Sequence, residues 1–489
     1  MAFTQILIAL SIVLLFLGAI MMVVTLLFIR PQQEVPQVEK EIVDKDTVAE
    51  HLSAAIRCQT ISTQDPIYFN SQYFVELRRT LEKLYPRVHS TLACYVINDF
   101  SLLFVWKGSR PDLAPILLAG HLDVVPTEPE TNGEWRFPPF SGQISEGYVW
   151  GRGAQDIKSQ VISILESVEH LLREGFTPQR SALLAFGHDE ELGGMDGAAH
   201  IAEYLRRHSI TLEAVLDEGS YIAEGMLPGI VQPVALIGTA EKGNLAIELV
   251  VEGKSGHSAT PPSETIIGIL ANAVRKIEQK PLPGRFYFFK TMFRSLGSSM
   301  TLWMQLIFAN QWFFGWLLQR RLSKTPQSNA GLRTTAAVTM IHGGIKANLL
   351  PGIASALINL RLLPGDTIAY ICDEIRNRIN DPRVQMRIKT VNSWEASNQS
   401  PEDARSYQTL KRVTQQIFDQ IPVAPFLVLG ATDSRHYSSM CSNIYRFTPY
   451  VIKPDDINRV HGTNERIQVD ALEKMVQFYT MLIKNWSME

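Results

Sequence analysis

The sequence predicts an α/β protein: a parallel-rich sheet with helices on both faces, interrupted by an inserted ferredoxin-like α+β unit. Three observations carry this. Short apolar runs alternate with amphipathic helical segments through the first half of the chain. Beyond about residue 236 the order becomes strand, helix, strand, strand, helix, strand. Strand–helix alternation resumes near residue 393, so the smaller unit sits inside the larger.

Taken in order, residues 1–29 carry no charged side chain, and 6–29 form an apolar stretch long enough to cross a bilayer. A cleavable signal has a shorter apolar region and a basic start, so residues 1–30 read as an uncleaved single-pass anchor. Arg30, Lys40 and Lys45 follow this span, and the positive-inside rule would keep them cytoplasmic. Sequons at Asn398 and Asn485 argue instead for a lumenal or extracellular body. Residues 31–46, rich in Pro, Gln, Glu and Val, read as a stalk.

The larger domain begins at 47 with a helix. It continues through strand 115–119, a helix around 157–174, strand 181–187, a helix around 196–207 and strand 212–216, to residue 235. The inserted unit, 236–392, takes strand 245–251, helix 264–279, strands near 335–342 and 353–361, helix 366–379 and strand 384–391. Residues 393–489 complete the larger domain. Within the unit lies an aromatic-rich insertion, 281–333. Its residues 296–318 lack charge but hold Ser, Thr, Gln and Asn, which makes a second span costly. Two readings stay open: helices packed on the smaller domain, or a surface for an acyl chain or the membrane interface.

Composition narrows the function. A net charge of −3 with no Lys/Arg-rich run excludes a nucleic-acid binder. Cys58, Cys94, Cys372 and Cys441 have no paired spacing, so thiolates are not the ligands of a metal site. Histidines and carboxylates are better placed. AGHLDVVP puts His121 and Asp123 on one side of a strand end. Later strand ends and loops bring Asp156 in WGRGAQDIK, Glu190 and Glu191 in GHDEE, Asp217 in VLDEG and His461 in HGTNE. In open α/β sheets ligands gather outside the carboxyl ends of strands. Two histidines with several carboxylates suit catalytic zinc or a related divalent metal. Five motifs carrying such residues suggest two ions about 3.5–4 Å apart sharing one carboxylate.

These five motifs, in this order, resemble those of the aminoacylase/carboxypeptidase-S/ArgE–DapE zinc peptidase family, from about residue 47 to 485. SGHSATPPSETIIGIL, TDSRHY and YRFTPYVI resemble its branch of N-fatty-acyl-amino acid synthase/hydrolases and yeast-type carboxypeptidase S. The resemblance implies two Zn²⁺ or other divalent ions, one held by His121, Asp156 and Asp217, the other by Asp156, Glu191 and His461. It implies Asp123 as the residue orienting His121 and Glu190 as general base. His257, Asn348, Arg361 and, more weakly, Arg435 would meet the substrate's oxyanion and α-carboxylate. The position after the shared aspartate is often acidic in the family and is Ile157 here. The position two before Arg361 is commonly Asp and is Asn359 here.

The implied activity is amide hydrolysis of N-acyl amino acids, with N-fatty-acyl ones suggested by the aromatic insertion, and the reverse condensation. The alternatives are a carboxypeptidase S-like enzyme acting on small peptides and a catalytically dead receptor or scaffold. The second lacks its signature, since every ligand is present. The resemblance also brings a homodimer hypothesis, because in many relatives the histidine matching His257 comes from a second subunit, and it favours a lumenal or extracellular body.

Overall fold

A computed structural model describes residues 2–29, 34–65, 67–227 and 229–488. The chain opens with helix α1 (Ala2–Phe28) and helix α2 (Lys45–Arg57). The Asp44 carboxylate caps α2 by accepting from Thr47 N at 3.3 Å. Then follow β1 (Ala93–Ile97), β2 (Ser101–Trp106), β3 (Ile116–His121), α3 (Lys158–Arg173), β4 (Ala182–Gly187), α4 (Ala198–Arg207), β5 (Ala214–Asp217), β6 (Ile222–Ala223) and β7 (Val234–Glu241). These strands join a ten-stranded sheet whose central run, β4-β3-β5, is parallel. Every residue of those three strands is buried, which is why they read as apolar runs rather than alternating ones. One face is covered by α2, α3 and the C-terminal helix, the other by α4.

The smaller unit holds β8 (Gly243–Glu252), α5 (Ile266–Gln279), β9 (Thr335–Gly343), β10 (Ile353–Leu362), α9 (Ile368–Ile379) and β11 (Val384–Ile388). Between α5 and β9 the insertion forms three longer helices, α6 (Tyr287–Leu296), α7 (Leu302–Ala309) and α8 (Gln311–Leu322). The sheet is antiparallel with order β9-β10-β8-β11. Burial alternates strictly along β10, so one face carries α5 and α9 while the other is open. The chain then returns through α10 (Arg405–Ile417), β12 (Val423–Val428), β13 (Ile444–Arg446), β14 (Val451–Ile452) and α11 (Val469–Met488).

Three expectations need correction. The larger sheet keeps the chain to Glu241, and the crossing lies at Lys242 rather than near 236. The reason is that Val234–Glu241 pairs in parallel with Val423–Val428, a strand from the far end of the sequence. The insertion packs on the larger domain, not on the smaller sheet. Met292, Phe293 and Leu296 of α6 cluster with Val234, Leu236 and Ala424. Residues 34–44 are not a free stalk: Lys40 Nζ donates to Ile417 O and Asp419 Oδ1, both at 2.9 Å, and Gln420 bonds both the N–H and the carbonyl of Val35. Residues 31–33 of the expected stalk, and Arg30, lie outside the described residues. All four cysteines are free.

Candidate metal centre

The carboxyl ends of β3, β4 and β5 lie side by side, and the loops leaving them bring the expected residues together. His121 Nε2 stands 3.1 Å from Asp156 Oδ1 and 3.4 Å from Glu218 Oε1. His461 Nε2 stands 2.9 Å from Asp156 Oδ2 and 3.2 Å from Glu191 Oε1. In each trio the ligand atoms fall within 4.8 Å of one another. Asp156 gives one oxygen to each trio, the geometry of a shared carboxylate.

The carboxylate facing His121 is therefore Glu218, not the expected Asp217. Strand alternation explains the difference. Asp217 shares its side of β5 with Val215, which packs in the same layer as Tyr437, and its charge is felt by the buried Asp433. Glu218, one residue on, points to the other side. Asp217 Oδ1 only accepts from Glu218 N at 2.9 Å, and its Oδ2 is buried with no hydrogen bond.

Neighbouring side chains hold the trios in place. Asp123 is fully buried; its Oδ1 lies 3.3 Å from His121 Nδ1, which leaves Nε2 to face the centre. The same carboxylate accepts from the backbone N–H groups of Glu190 and Glu191, each at 3.2 Å, so it also fixes the turn carrying both. Glu465 does the equivalent for Asp156. Its Oε1 accepts from Gln155 N at 2.8 Å and Asp156 N at 3.1 Å, and its Oε2 pairs with Arg152 at 2.7 Å. Arg152 Nη2 then donates to His461 O at 3.1 Å, linking the loop of Asp156 to that of His461. Ile157 is buried, and the Lys158 ammonium beyond it donates to Ala55 O and Cys58 O at the end of α2. Glu465 and Arg152 lie in the motifs HGTNE and WGRGAQDIK, but only tertiary contact reveals their part.

Electrostatics mark a centre short of positive charge. Burial pushes the Glu190 carboxyl well above the ordinary carboxylate range, and Glu218, Asp433 and Glu191 push the same way. Burial, with Asp156 adding to it, raises Glu218 to about 8. Asp156 is held below its usual value because hydrogen bonds from His121 and His461 outweigh its burial. Bonds to Asp156 and Glu191 lift His461 to about 10. Glu191 Oε1 remains buried without a hydrogen bond although His461 Nε2 is 3.2 Å away. A buried, unsatisfied carboxylate oxygen among imidazoles and further carboxylates fits cation ligation. A third cluster of such residues, Glu41, His170 and Glu174, already contains the Lys484 ammonium, 2.6 Å from Glu41.

The expected substrate residues divide. Arg361, on β10, is half-buried, and its side chain makes no hydrogen bond or ion pair among the described residues; burial and the neighbouring Arg435 both lower its pKa. Arg435 stacks on Trp394 at 4.3 Å and donates to the carbonyls of Thr432 and Gly193, the latter closing the Glu190–Glu191 turn. Asn359 is not idle: its Nδ2 donates to Asn244 Oδ1 at 3.0 Å. His257 and Asn348 are exposed on a short ladder, Gly256–His257 against Leu349–Leu350, and neither bonds to any residue of the two trios.

Comparison with known proteins bears on this geometry. The model of peptidase family M20/M25/M40 matches residues 117–485. The chain is 41% identical over 447 residues to the N-fatty-acyl-amino acid synthase/hydrolase of Xenopus tropicalis, spanning 90% of this chain and 86% of that one. It is 39% identical over 484 residues to the probable carboxypeptidase S-like 2 of Dictyostelium discoideum, spanning 96% and 92%. Among solved structures, an M20 family metallo-carboxypeptidase from Sulfolobus solfataricus shares the fold, with a TM-score of 0.65 at 16% identity over 91% of this chain and 100% of that one.

Proposed function

Because the chain belongs to peptidase family M20/M25/M40, a family of hydrolytic enzymes, we propose that it cleaves the amide bond of N-acyl amino acids, N-fatty-acyl ones above all, at a two-metal centre. The observation that carries this is the pair of trios, His121–Asp156–Glu218 and Asp156–Glu191–His461, sharing one carboxylate. Two divalent cations, zinc by preference, would be held there; when bound, such a pair lowers the pKa of water toward about 7 and polarises a carbonyl.

The protein's own groups do the rest. Asp123 keeps the proton of His121 on Nδ1, so Nε2 is free to ligate. Glu190 is half-buried next to Glu191 yet belongs to neither trio, and its raised proton affinity suits a general base. It takes a proton from the attacking water, whose oxygen bonds to the amide carbon. It then returns that proton to the leaving nitrogen as the C–N bond breaks, giving a carboxylic acid and a free amino acid. Run backward, the same steps condense the two and release water. Arg361 offers an unpaired guanidinium fork for the substrate's carboxylate, and the adjacent cation of Arg435 strengthens the field there. The smaller unit would act as a ferredoxin-like lid, and a second copy of the chain would supply His257 and Asn348. The relative from Xenopus tropicalis, whose name gives N-fatty-acyl amino acids, supports the substrate class.

The similarity to a probable carboxypeptidase S-like protein favours a second reading, cleavage of small peptides. Zinc-loaded protein should hydrolyse an oleoyl-amino acid with a higher kcat/KM than an unblocked dipeptide. The reverse order would assign the chain to the peptidase reading, and no turnover of either after loading with zinc, cobalt or manganese would sink both.

A further inference from the structure

The N-terminal helix does not end free of the domain. Thr25 and Phe28, in its last turn, are buried, and Phe28 packs with Met292, Phe293, Leu296 and Phe308 of the insertion. Asn310, wholly buried between α7 and α8, donates from Nδ2 to Met21 O at 3.2 Å and Thr25 Oγ1 at 3.1 Å. Gly297 closes the contact, since a Cβ there would stand 3.0 Å from Ile29 Cγ1. A buried amide whose donors are spent on a neighbouring helix is costly to separate, so the direction of α1 is fixed against α7 and α8.

If α1 crosses a bilayer, its last turn lies at the headgroup level, and so does whatever is packed there. What is packed there is aromatic on its outer side. Trp303, Trp312 and Trp316 are 76%, 60% and 69% exposed, with Leu302, Phe313 and Leu317 exposed beside them. Trp312 and Trp316 lie one helical turn apart on a single face of α8. Arg320, Arg321 and Lys324 follow at once and are exposed. Indole rings are suited to the membrane–water boundary, and basic side chains to anionic headgroups.

We infer that α7 and α8 form a membrane foot: their tryptophan face lies in the interfacial layer of the bilayer that α1 crosses, and Arg320, Arg321 and Lys324 meet anionic lipid headgroups. This rests on the reading of α1 as a span and is independent of the metal chemistry. The foot and the span together would hold the catalytic sheet at one orientation to the surface, where acyl chains are dissolved.

The test uses the full chain in phosphatidylcholine–phosphatidylserine vesicles with brominated acyl chains, which quench nearby tryptophan emission. None of the eight tryptophans lies in α1, so quenching reports on the rest of the protein. Wild type should be quenched, and Trp303→Ser, Trp312→Ser, Trp316→Ser combined should lose roughly two thirds or more of that quenching. Hydrolysis of a short, water-soluble N-acyl amino acid by the same variant shows that it folds. Arg320→Gln, Arg321→Gln, Lys324→Gln combined should lose the dependence of quenching on phosphatidylserine. Quenching undiminished in the tryptophan variant overturns the inference. So does a wild type that resists alkaline carbonate extraction yet is unquenched, and then the span reading survives alone. Release by carbonate removes the span and the foot together. Tryptophans shielded from aqueous acrylamide but untouched by brominated chains would give the face to a second copy and overturn the proposal.

Discussion

Glu190 and Glu191 are adjacent in sequence and differ in surroundings. Glu191 reaches His461, while Glu190 is half-buried, with desolvation and neighbouring carboxylates raising its proton affinity, and pairs with no imidazole among the described residues. Glu190→Gln should therefore lower kcat by about 10²–10⁴-fold with bound metal unchanged; retained turnover in a steady-state assay would remove Glu190 from its role. The neighbouring pair Asp217 and Glu218 divides the same way. Glu218→Ala should cost about one bound ion per chain by elemental analysis, since three protein ligands hold each catalytic ion. Asp217→Asn should keep both. If Asp217→Asn loses the ion and Glu218→Ala keeps it, the trio around His121 is misassigned. The motif VLDEG offers both carboxylates at one strand end, and spacing alone does not choose; the facing direction at the end of β5 does.

At the scale of elements, the centre depends on loops held by buried charge. Arg152 and Glu465 are almost wholly buried and pair at 2.7 Å, and Glu465 fixes the backbone that presents Asp156. Glu465→Gln leaves the guanidinium uncompensated and should destabilise the fold by about 3–5 kcal/mol, read as a lower midpoint in denaturant. An unchanged midpoint would mean the pair contributes nothing to the native state. Strands and helices themselves were largely legible: the expected helix around 157–174 is Lys158–Arg173, and the expected strand at 353–361 is Ile353–Leu362. The helix repeats Val, Ile and Leu at helical spacing and the strand alternates, each the pattern its burial imposes. The insertion was legible as helical but not in its seat, because its apolar face fits any apolar partner and β12, which it covers, lies about a hundred residues further along.

Across the whole molecule, the junction at Lys242 joins the two sheets directly, β7 ending and β8 beginning on either side of it. Its ammonium is buried, donating to Ala330 O and Arg333 O, and burial lowers its pKa to about 7. The two sequons separate at this scale. Asn398 stands exposed on a loop, whereas Asn485 is half-buried in α11, donating to Met481 O and accepting from Arg412 of α10. Expressed in eukaryotic cells, a lumenal body should show one glycan removable by endoglycosidase, abolished by Asn398→Gln and kept in Asn485→Gln. A wild type without any mobility shift would favour the orientation that Arg30, Lys40 and Lys45 suggest.

From the sequence come the layered α/β architecture, the apolar helix at the start and the residue types of the centre, because burial period and strand-end chemistry are written locally. Tertiary structure alone selected Glu218 over Asp217, drew Glu465 and Arg152 under the metal loops and seated the insertion against α1. Each of those is a contact between segments far apart in the chain, and only the folded backbone determines which way a side chain faces there.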